Sequence, residues 1–264
     1  MNNPRGLAGI FVTCLLAVPA LALAADESSL AKASQNPVAD LVSLPIQHNA
    51  DLQFGPDDDY RSITNVQPVI PVNLNDDYNL ITRTILPIVS QPGTVPGQDR
   101  KNGLGDTSFS AFISPSNSQS ITWGAGPVLL IPTSTDDRLG AGEWGGGVSA
   151  VALAMPGRWV VGSLFSNVWD FGGDTDINLF TWQYFVNYNF DNGWYLTSAP
   201  IMTADWEADS DDRYTVPIGG GGGKILRIGS LPVNVNLQAF YYAEAPQVLG
   251  DWSVRAQVQF MFVQ

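Results

Sequence analysis

Residues 252–262 read WSVRAQVQFMF, and their alternating pattern indicates the fold class. The even-numbered positions from Trp252 to Phe262 are apolar or small, whereas the odd-numbered positions from Ser253 to Gln259 are polar. Side chains of an extended strand alternate between its two faces, so a period of two predicts a β-strand with one apolar and one polar face. The polar face is rich in amides, which suits contact with water better than packing in a dry core.

The same alternation recurs along the chain. It is clear in Val42–Phe54, Thr64–Leu74, Asn178–Phe190 and Leu231–Tyr241. Two further segments, at 144–155 and 159–170, alternate poorly, so their register is the least defined by sequence. Together the segments predict an all-β protein.

Counting the candidate segments gives about 12 strands, separated alternately by short turns and by longer loops. The predicted strands are 41–54, 62–74, 78–89, 105–114, 121–132, 143–155, 159–170, 178–190, 194–205, 214–226, 231–242 and 251–263. This pattern is typical of an antiparallel transmembrane β-barrel of the bacterial outer membrane. The alternative is a soluble lipocalin-like barrel, but such barrels have about eight strands around an apolar interior. Tryptophans at the predicted strand ends fit the two aromatic girdles of a membrane barrel.

Composition agrees with a chain that is not surrounded by water. Of its 264 residues, 45% are hydrophobic and 14% are charged, against about 25% charged in soluble domains. The formal net charge of −13 excludes a basic nucleic-acid-binding surface. The 26 glycines and 18 prolines leave few uninterrupted helical windows.

The N-terminal region predicts export. A short segment with one positive charge at Arg5 precedes an apolar run over 7–23 and a small-residue cleavage motif at 22–24, which together indicate a secretory signal peptide over residues 1–24. Residues 25–40 then form a polar periplasmic lead-in with a helical turn ended by Pro37, and residues 41–264 form the barrel. A chain with this layout is expected in the bacterial outer membrane.

Nearly all of the negative charge falls in the six long loops. With their edges, these loops contain 17 acidic residues and five basic ones. Solvated loop tips are the simpler interpretation; the alternative is a rim that favours cations or bridges anionic lipid headgroups through divalent ions. Asp209, Asp211 and Asp212 offer oxygen ligands but lack the glycine and distal glutamate of an EF-hand loop, so no metal site is predicted.

A glycine-rich segment and the single histidine are candidates for phosphate binding and for catalysis. Gly219–Lys224 resembles a phosphate-binding loop, but its glycine spacing is wrong and Ile225 stands where Ser or Thr is needed. His48 is the only histidine, and a lipid hydrolase of the membrane would need it. Its register places it on the aliphatic face with no assignable serine. The only cysteine, Cys14, lies in the predicted signal peptide. We therefore predict no enzyme activity, no cofactor and no metal.

The polar faces of the strands are the candidate functional surface, because they would line the lumen and the path of a solute. The candidate residues are Gln47, Asn49, Asp51, Asn65, Gln67, Arg83, Gln183, Asn187, Asn234, Asn236, Gln238, Arg255, Gln257 and Gln259. Barrel closure brings the first and last strands together and predicts Asp51 and Arg255 at similar depth. An ion pair between them would serve as structural packing or as a constriction that selects solutes.

Several stretches resemble a bacterial family catalogued as the meta-pathway of phenol degradation family, whose members are often labelled neuromedin U or transporter. The matching stretches are NPVADL at 36–41, QPVIP at 67–71, NLITRTI at 79–85, GLGD at 103–106, PTSTDDRLG at 132–140, GWYLTS at 193–198 and TADWEADS at 203–210. The resemblance implies an outer-membrane barrel that acts as a channel for aromatic or other hydrophobic compounds, and it brings no catalytic residues.

The expected function is therefore that of a porin-like channel for small, aromatic or hydrophobic compounds. The alternative is a structural or adhesion barrel that transports nothing and uses its acidic loops. In either case the expected partners are outer-membrane lipids, and for the channel a small-molecule solute, with no nucleic acid.

Overall fold

A computed structural model describes residues 27–117 and 120–262. The predicted signal peptide over 1–24 lies outside the described residues and remains a prediction. A short helix, α1 (Glu27–Ser34), precedes fifteen strand segments. Within the described residues, no helix has the length and hydropathy needed to cross a membrane.

The strand segments are consecutive and antiparallel. They are β1 (Val42–Phe54), β2 (Asp59–Val66), β3 (Val69–Asn73), β4 (Tyr78–Gln91), β5 (Lys101–Leu104), β6 (Thr107–Pro115), β7 (Ile121–Ile131), β8 (Gly145–Ala154), β9 (Trp159–Asp170), β10 (Asn178–Asn189), β11 (Trp194–Ser198), β12 (Ile201–Asp205), β13 (Tyr214–Ile228), β14 (Leu231–Glu244) and β15 (Trp252–Phe262). Three pairs of them, β2 with β3, β5 with β6 and β11 with β12, each continue one strand of the wall, so the predicted number of twelve strands is confirmed.

The sheet closes on itself. The last strand pairs with the first from Val42 opposite Phe262 to Asp51 opposite Ser253, and β9 pairs with β10 to complete the circle. A closed circle leaves no unpaired sheet edge, which is what a strand-built membrane protein requires. The predicted transmembrane β-barrel is therefore confirmed.

Three strands of the wall are interrupted; two of the breaks lie inside predicted strands, and the third separates the predicted strand 105–114 from an extension that was not predicted. The breaks fall at Gln67-Pro68, Gly105-Asp106 and Ala199-Pro200. Proline has no backbone N–H and cannot continue a hydrogen-bonded ladder, which explains two of the breaks. The fourth wall strand also starts earlier than predicted, because Lys101–Leu104 pairs with β4 and shortens the preceding loop to 92–100.

The two faces of the wall follow the predicted register. Apolar side chains such as Leu237 and Val258 are exposed on the outside, and amides such as Gln238 and Gln259 are buried inside. Seven tryptophans are exposed at strand ends, three toward the short turns and four toward the long loops: Trp123, Trp159, Trp194, Trp144, Trp169, Trp206 and Trp252. These are the two aromatic girdles expected at the membrane–water interfaces. By loop length, the short turns face the periplasm and the long loops face the exterior.

Candidate functional site

The lumen holds a cavity of about 160 Å³ next to the N-terminal segment. Eleven of the fourteen predicted lumen residues line it: Gln47, Gln67, Arg83, Gln183, Asn187, Asn234, Asn236, Gln238, Arg255, Gln257 and Gln259. The other three lie elsewhere on the inner face. Asn49 accepts a hydrogen bond from Arg255, Asp51 binds Arg61, and Asn65 pairs across the strands with Gln47.

The opposite part of the lumen is apolar, and the sequence reading missed it. Side chains from β4, β6, β8, β9 and β10 form one buried cluster, made of Ile81, Phe112, Val151, Leu153, Val160, Leu164 and Phe185 together with Val38 of the N-terminal segment. The available signal was the poor alternation at 144–155 and 159–170. These strands are apolar on both faces because one face meets lipid and the other meets this cluster. We call it the apolar wall of the lumen.

The N-terminal segment, residues 27–41, packs inside the barrel. On α1, Leu30 and Ala31 are buried against Tyr195, Ile225 and Met261. Farther along, Val38 is only 4% exposed within the apolar wall. The sequence predicted the helical turn but not that this lead-in would enter the lumen.

Hydrogen bonds fix the same segment at the periplasmic end. Gln35 and Asn189 exchange two side-chain hydrogen bonds of 2.9 and 3.1 Å, and Asn234 donates to Ser34 Oγ at 3.1 Å. Lys32 donates to the backbone oxygen of Gly157. The segment thus contacts both sides of the barrel and obstructs the lumen.

The predicted pair between Asp51 and Arg255 is not formed. Asp51 instead lies 2.7 Å from Arg61 and accepts a hydrogen bond of 2.7 Å from the Tyr242 hydroxyl. The register explains the difference: Arg255 is opposite Asn49, whereas Asp51 is opposite both Ser253 and Arg61. Arg255 consequently donates to Asn49 and to a backbone oxygen.

We expect Arg61→Met to lower the free energy of unfolding by about 1–3 kcal/mol, because Asp51 stays buried without its cation. Asp51 has a side-chain exposure of 5% and Arg61 of 23%, so water replaces the lost partner only in part. Equilibrium unfolding in guanidinium measures the effect. The double variant Arg61→Met/Asp51→Asn removes the unpaired charge and should recover part of the loss; a double variant less stable than the single one contradicts the assignment.

The break at Ala199-Pro200 brings backbone groups into the lumen. Ala199 N donates to Gln238 Oε1 at 3.2 Å, and its carbonyl oxygen accepts from Arg255 Nη1 at 2.7 Å and from Gln183 Nε2 at 3.3 Å. The ladder with β13 is missing between Thr197 and Thr203. Side chains in the lumen therefore supply hydrogen-bond partners for the N–H and carbonyl groups of Ala199, where the hydrogen bonds between strands are interrupted.

The acidic loops bind one another across the extracellular rim. Ion pairs join Arg100 to Asp59 at 2.6 Å and Lys101 to Asp136 at 2.7 Å. The hydrogen bond from Lys101 lowers the pKa of Asp136 below its usual value. Hydrogen bonds also link the loops at 55–58, 206–213 and 245–251: Gly55 N donates to the Val248 carbonyl oxygen, and Gln247 N donates to Asp212 Oδ1. Part of the acidic charge therefore has a structural use within the loops.

His48 and the glycine-rich segment Gly219–Gly223 both lie in strands of the barrel wall. His48 lies on the outer face, as its register predicted, and its Nδ1 is 2.8 Å from Thr64 Oγ1. Gly219–Gly223 is the middle of β13, where a Cβ on Gly223 would lie 2.3 Å from the Tyr195 ring. In the part of the chain that the structure describes, no group of three His, Cys, Asp or Glu could hold a metal ion.

The fold is similar to those of solved outer-membrane proteins. An outer membrane channel from Pseudomonas putida F1 matches with a TM-score of 0.61 and 18% identity, covering 84% of this chain and 94% of the channel. The monoaromatic hydrocarbon channel CymD matches with a TM-score of 0.46 and 8% identity, covering 91% of each chain. Phospholipase A from the Escherichia coli outer membrane matches with a TM-score of 0.43 and 14% identity, covering 91% of this chain and 99% of the phospholipase. Comparison with curated protein sequences gave no match.

A sequence family is also matched. The family described as "Putative MetA-pathway of phenol degradation" matches residues 56–243, more than half of the chain. This agrees with the resemblance seen in the sequence, and the closed, girdled barrel agrees with a location in the bacterial outer membrane. The protein therefore belongs to this phenol-degradation family of outer-membrane β-barrels.

Proposed function

We propose that the barrel is a channel for small aromatic molecules and that it has no catalytic role. The observation that carries the proposal is the two-sided lumen: a ring of amides faces a cavity whose other side includes Phe185 and Val69. A cavity of about 160 Å³ is smaller than the roughly 300–1,000 Å³ of drug-sized sites, so it fits a molecule with a single ring.

The chemistry of the walls favours such a solute over a sugar of the same size. A ring gains from contact with the apolar wall, and a hydroxyl or amide substituent exchanges hydrogen bonds with the amides opposite. The similar fold of the outer membrane channel from Pseudomonas putida F1 supports the same class of function.

Uptake of labelled benzamide by Gram-negative cells that express the full chain tests the proposal. We expect faster uptake than in cells without the barrel, and a reduction of about fivefold in Phe185→Asn, which removes about 1 kcal/mol of apolar contact. Phe185→Leu, which stays apolar, is the matched control, and the amount of folded barrel is measured by heat-modified migration on a gel. Equal passage of benzamide and of a small sugar alcohol contradicts the proposal.

A further inference from the structure

Two guanidinium groups face the cavity without a carboxylate. Arg83 and Arg255 are the only charged residues among the described residues that line it, and all its other polar lining groups are neutral. A buried charge is costly unless a counter-charge or several hydrogen bonds compensate it, and proteins usually pair buried arginines with acids. This cavity therefore has an unusual surplus of positive charge.

Arg83 is held by a single neutral partner. Its Nη2 donates to Gln67 Oε1 at 2.5 Å, although a guanidinium carries five N–H donors. Among the described residues, the one buried side-chain nitrogen or oxygen without a partner is Nε of Arg213. The other nitrogens of Arg83 are not among such buried, unpartnered atoms, so they are accessible from the cavity that Arg83 lines.

Arg255 is oriented more firmly, again by neutral groups. It is 7% exposed, and it donates from Nε to Asn49 Oδ1 at 2.9 Å and from Nη1 to the Ala199 carbonyl oxygen at 2.7 Å. Its guanidinium carbon lies 4.9 Å from the centre of the Phe240 ring. These contacts fix the group in place but leave its charge without a direct partner.

Asp51 lies on the neighbouring strand β1, two residues from the residue opposite Arg255, but it does not neutralise Arg83 or Arg255. One carboxylate oxygen of Asp51 is bound by Arg61 and the other by the Tyr242 hydroxyl. Arg61 and Asp51 compensate each other, so the charges of Arg83 and Arg255 remain.

We propose that the cavity recognises a single-ring organic carboxylate, whose anionic oxygens bind Arg83 and Arg255 while its ring lies toward Phe185. This inference rests on the proposed function, because it names the class of aromatic solute for the same cavity. Arginine and carboxylate form strong, often bidentate, charge-assisted hydrogen bonds. The acidic loops oppose the approach of an anion from outside, so the two arginines act on binding within the lumen rather than on capture.

Binding of benzoate and of benzamide to the full barrel in a neutral detergent, measured by calorimetry, tests the inference without requiring transport. The two probes have nearly the same shape and differ in charge. We expect benzoate to bind about tenfold more tightly than benzamide. Arg83→Gln, which removes one hydrogen bond of the native structure, should weaken benzoate binding by about fivefold or more and benzamide binding by less than about twofold, because the neutral amide loses a hydrogen bond but no attraction between opposite charges.

Two further variants keep the test decisive. Arg83→Lys retains the charge and should recover most of the benzoate affinity, while Arg158→Gln, in an exposed ion pair with Asp191 at a periplasmic turn, should bind like the wild type. Equal affinity for the two probes, or benzoate binding that is unaffected by Arg83→Gln in a folded barrel, overturns the inference. If benzamide uptake fails but benzoate binding depends on Arg83, the proposed channel is refuted and the carboxylate site is supported. Normal uptake without that binding refutes the carboxylate site alone.

Discussion

Deletion of residues 27–40 is expected to raise the ionic conductance of the reconstituted barrel by about fivefold or more, because the segment fills the lumen at its periplasmic end. The deleted segment contributes buried side chains at Leu30, Ala31 and Val38 but no strand of the wall. The barrel should therefore still close, as heat-modified migration can verify. Planar-bilayer recording of single channels measures the effect. An unchanged conductance in a folded deletion variant shows that the obstruction lies elsewhere.

A disulfide offers the complementary test in the full-length chain. A Cβ built on Gly124 lies 2.9 Å from Val38 Cγ1, close to the roughly 3 Å between Sγ of one cysteine and Cβ of the other in a disulfide. The single native cysteine is Cys14, in the predicted signal peptide, so no other thiol of the exported chain competes. In Val38→Cys/Gly124→Cys, the disulfide should hold the conductance at or below that of the full-length wild type, and reduction should return it to the wild-type value. The two single variants should not respond to the reductant.

The second large effect concerns the register of the wall. We expect Leu237→Arg to lower the free energy of unfolding by about 2–4 kcal/mol, because it places a charge against lipid near the middle of β14. Leu237 is 59% exposed on the outer face, and its cross-strand neighbours Gly222 and Ala256 are too small to shield it. Reversible unfolding from lipid vesicles in guanidinium measures the loss.

The adjacent residue supplies the control. Asn236 lines the cavity, so Asn236→Arg should cost much less than Leu237→Arg, since its charge meets water and amides rather than lipid. Equal costs at the two positions would falsify the assignment of the inner and outer faces of β14.

The wall of the barrel could be predicted from sequence because its signal is local. Alternation along 252–262 assigns each side chain to one face, and the structure keeps that assignment from Trp252 to Phe262. The same alternation predicted unbroken strands through Pro68 and Pro200, but proline has no backbone N–H, so the hydrogen bonds between strands are interrupted at both residues. A period of two reports which face a residue occupies, but it does not report whether the ladder is continuous.

The contents of the lumen could not be predicted in the same way. The sequence around Val38 has no regular apolar period, and Val38 is buried in a cluster with Ile81, Phe112 and Val151, which are distant along the chain. The partner of Asp51 depended on a register difference of two residues between neighbouring strands, which alternation alone does not resolve. Such contacts follow from barrel closure and not from any single segment.

The docking position of the N-terminal segment has a consequence for how the protein is assembled. Val38 belongs to a buried cluster with residues on β4, β6, β8, β9 and β10, while α1 packs against Tyr195 on β11, Ile225 on β13 and Met261 on β15. These two sets of residues face each other only after β15 has paired with β1, so the segment has no complete binding site on a partly formed sheet. Contacts between residues far apart in the chain require closure of a long loop, which slows their formation. The N-terminal segment therefore completes its contacts only once the wall has closed, so the lumen narrows in the last step of assembly.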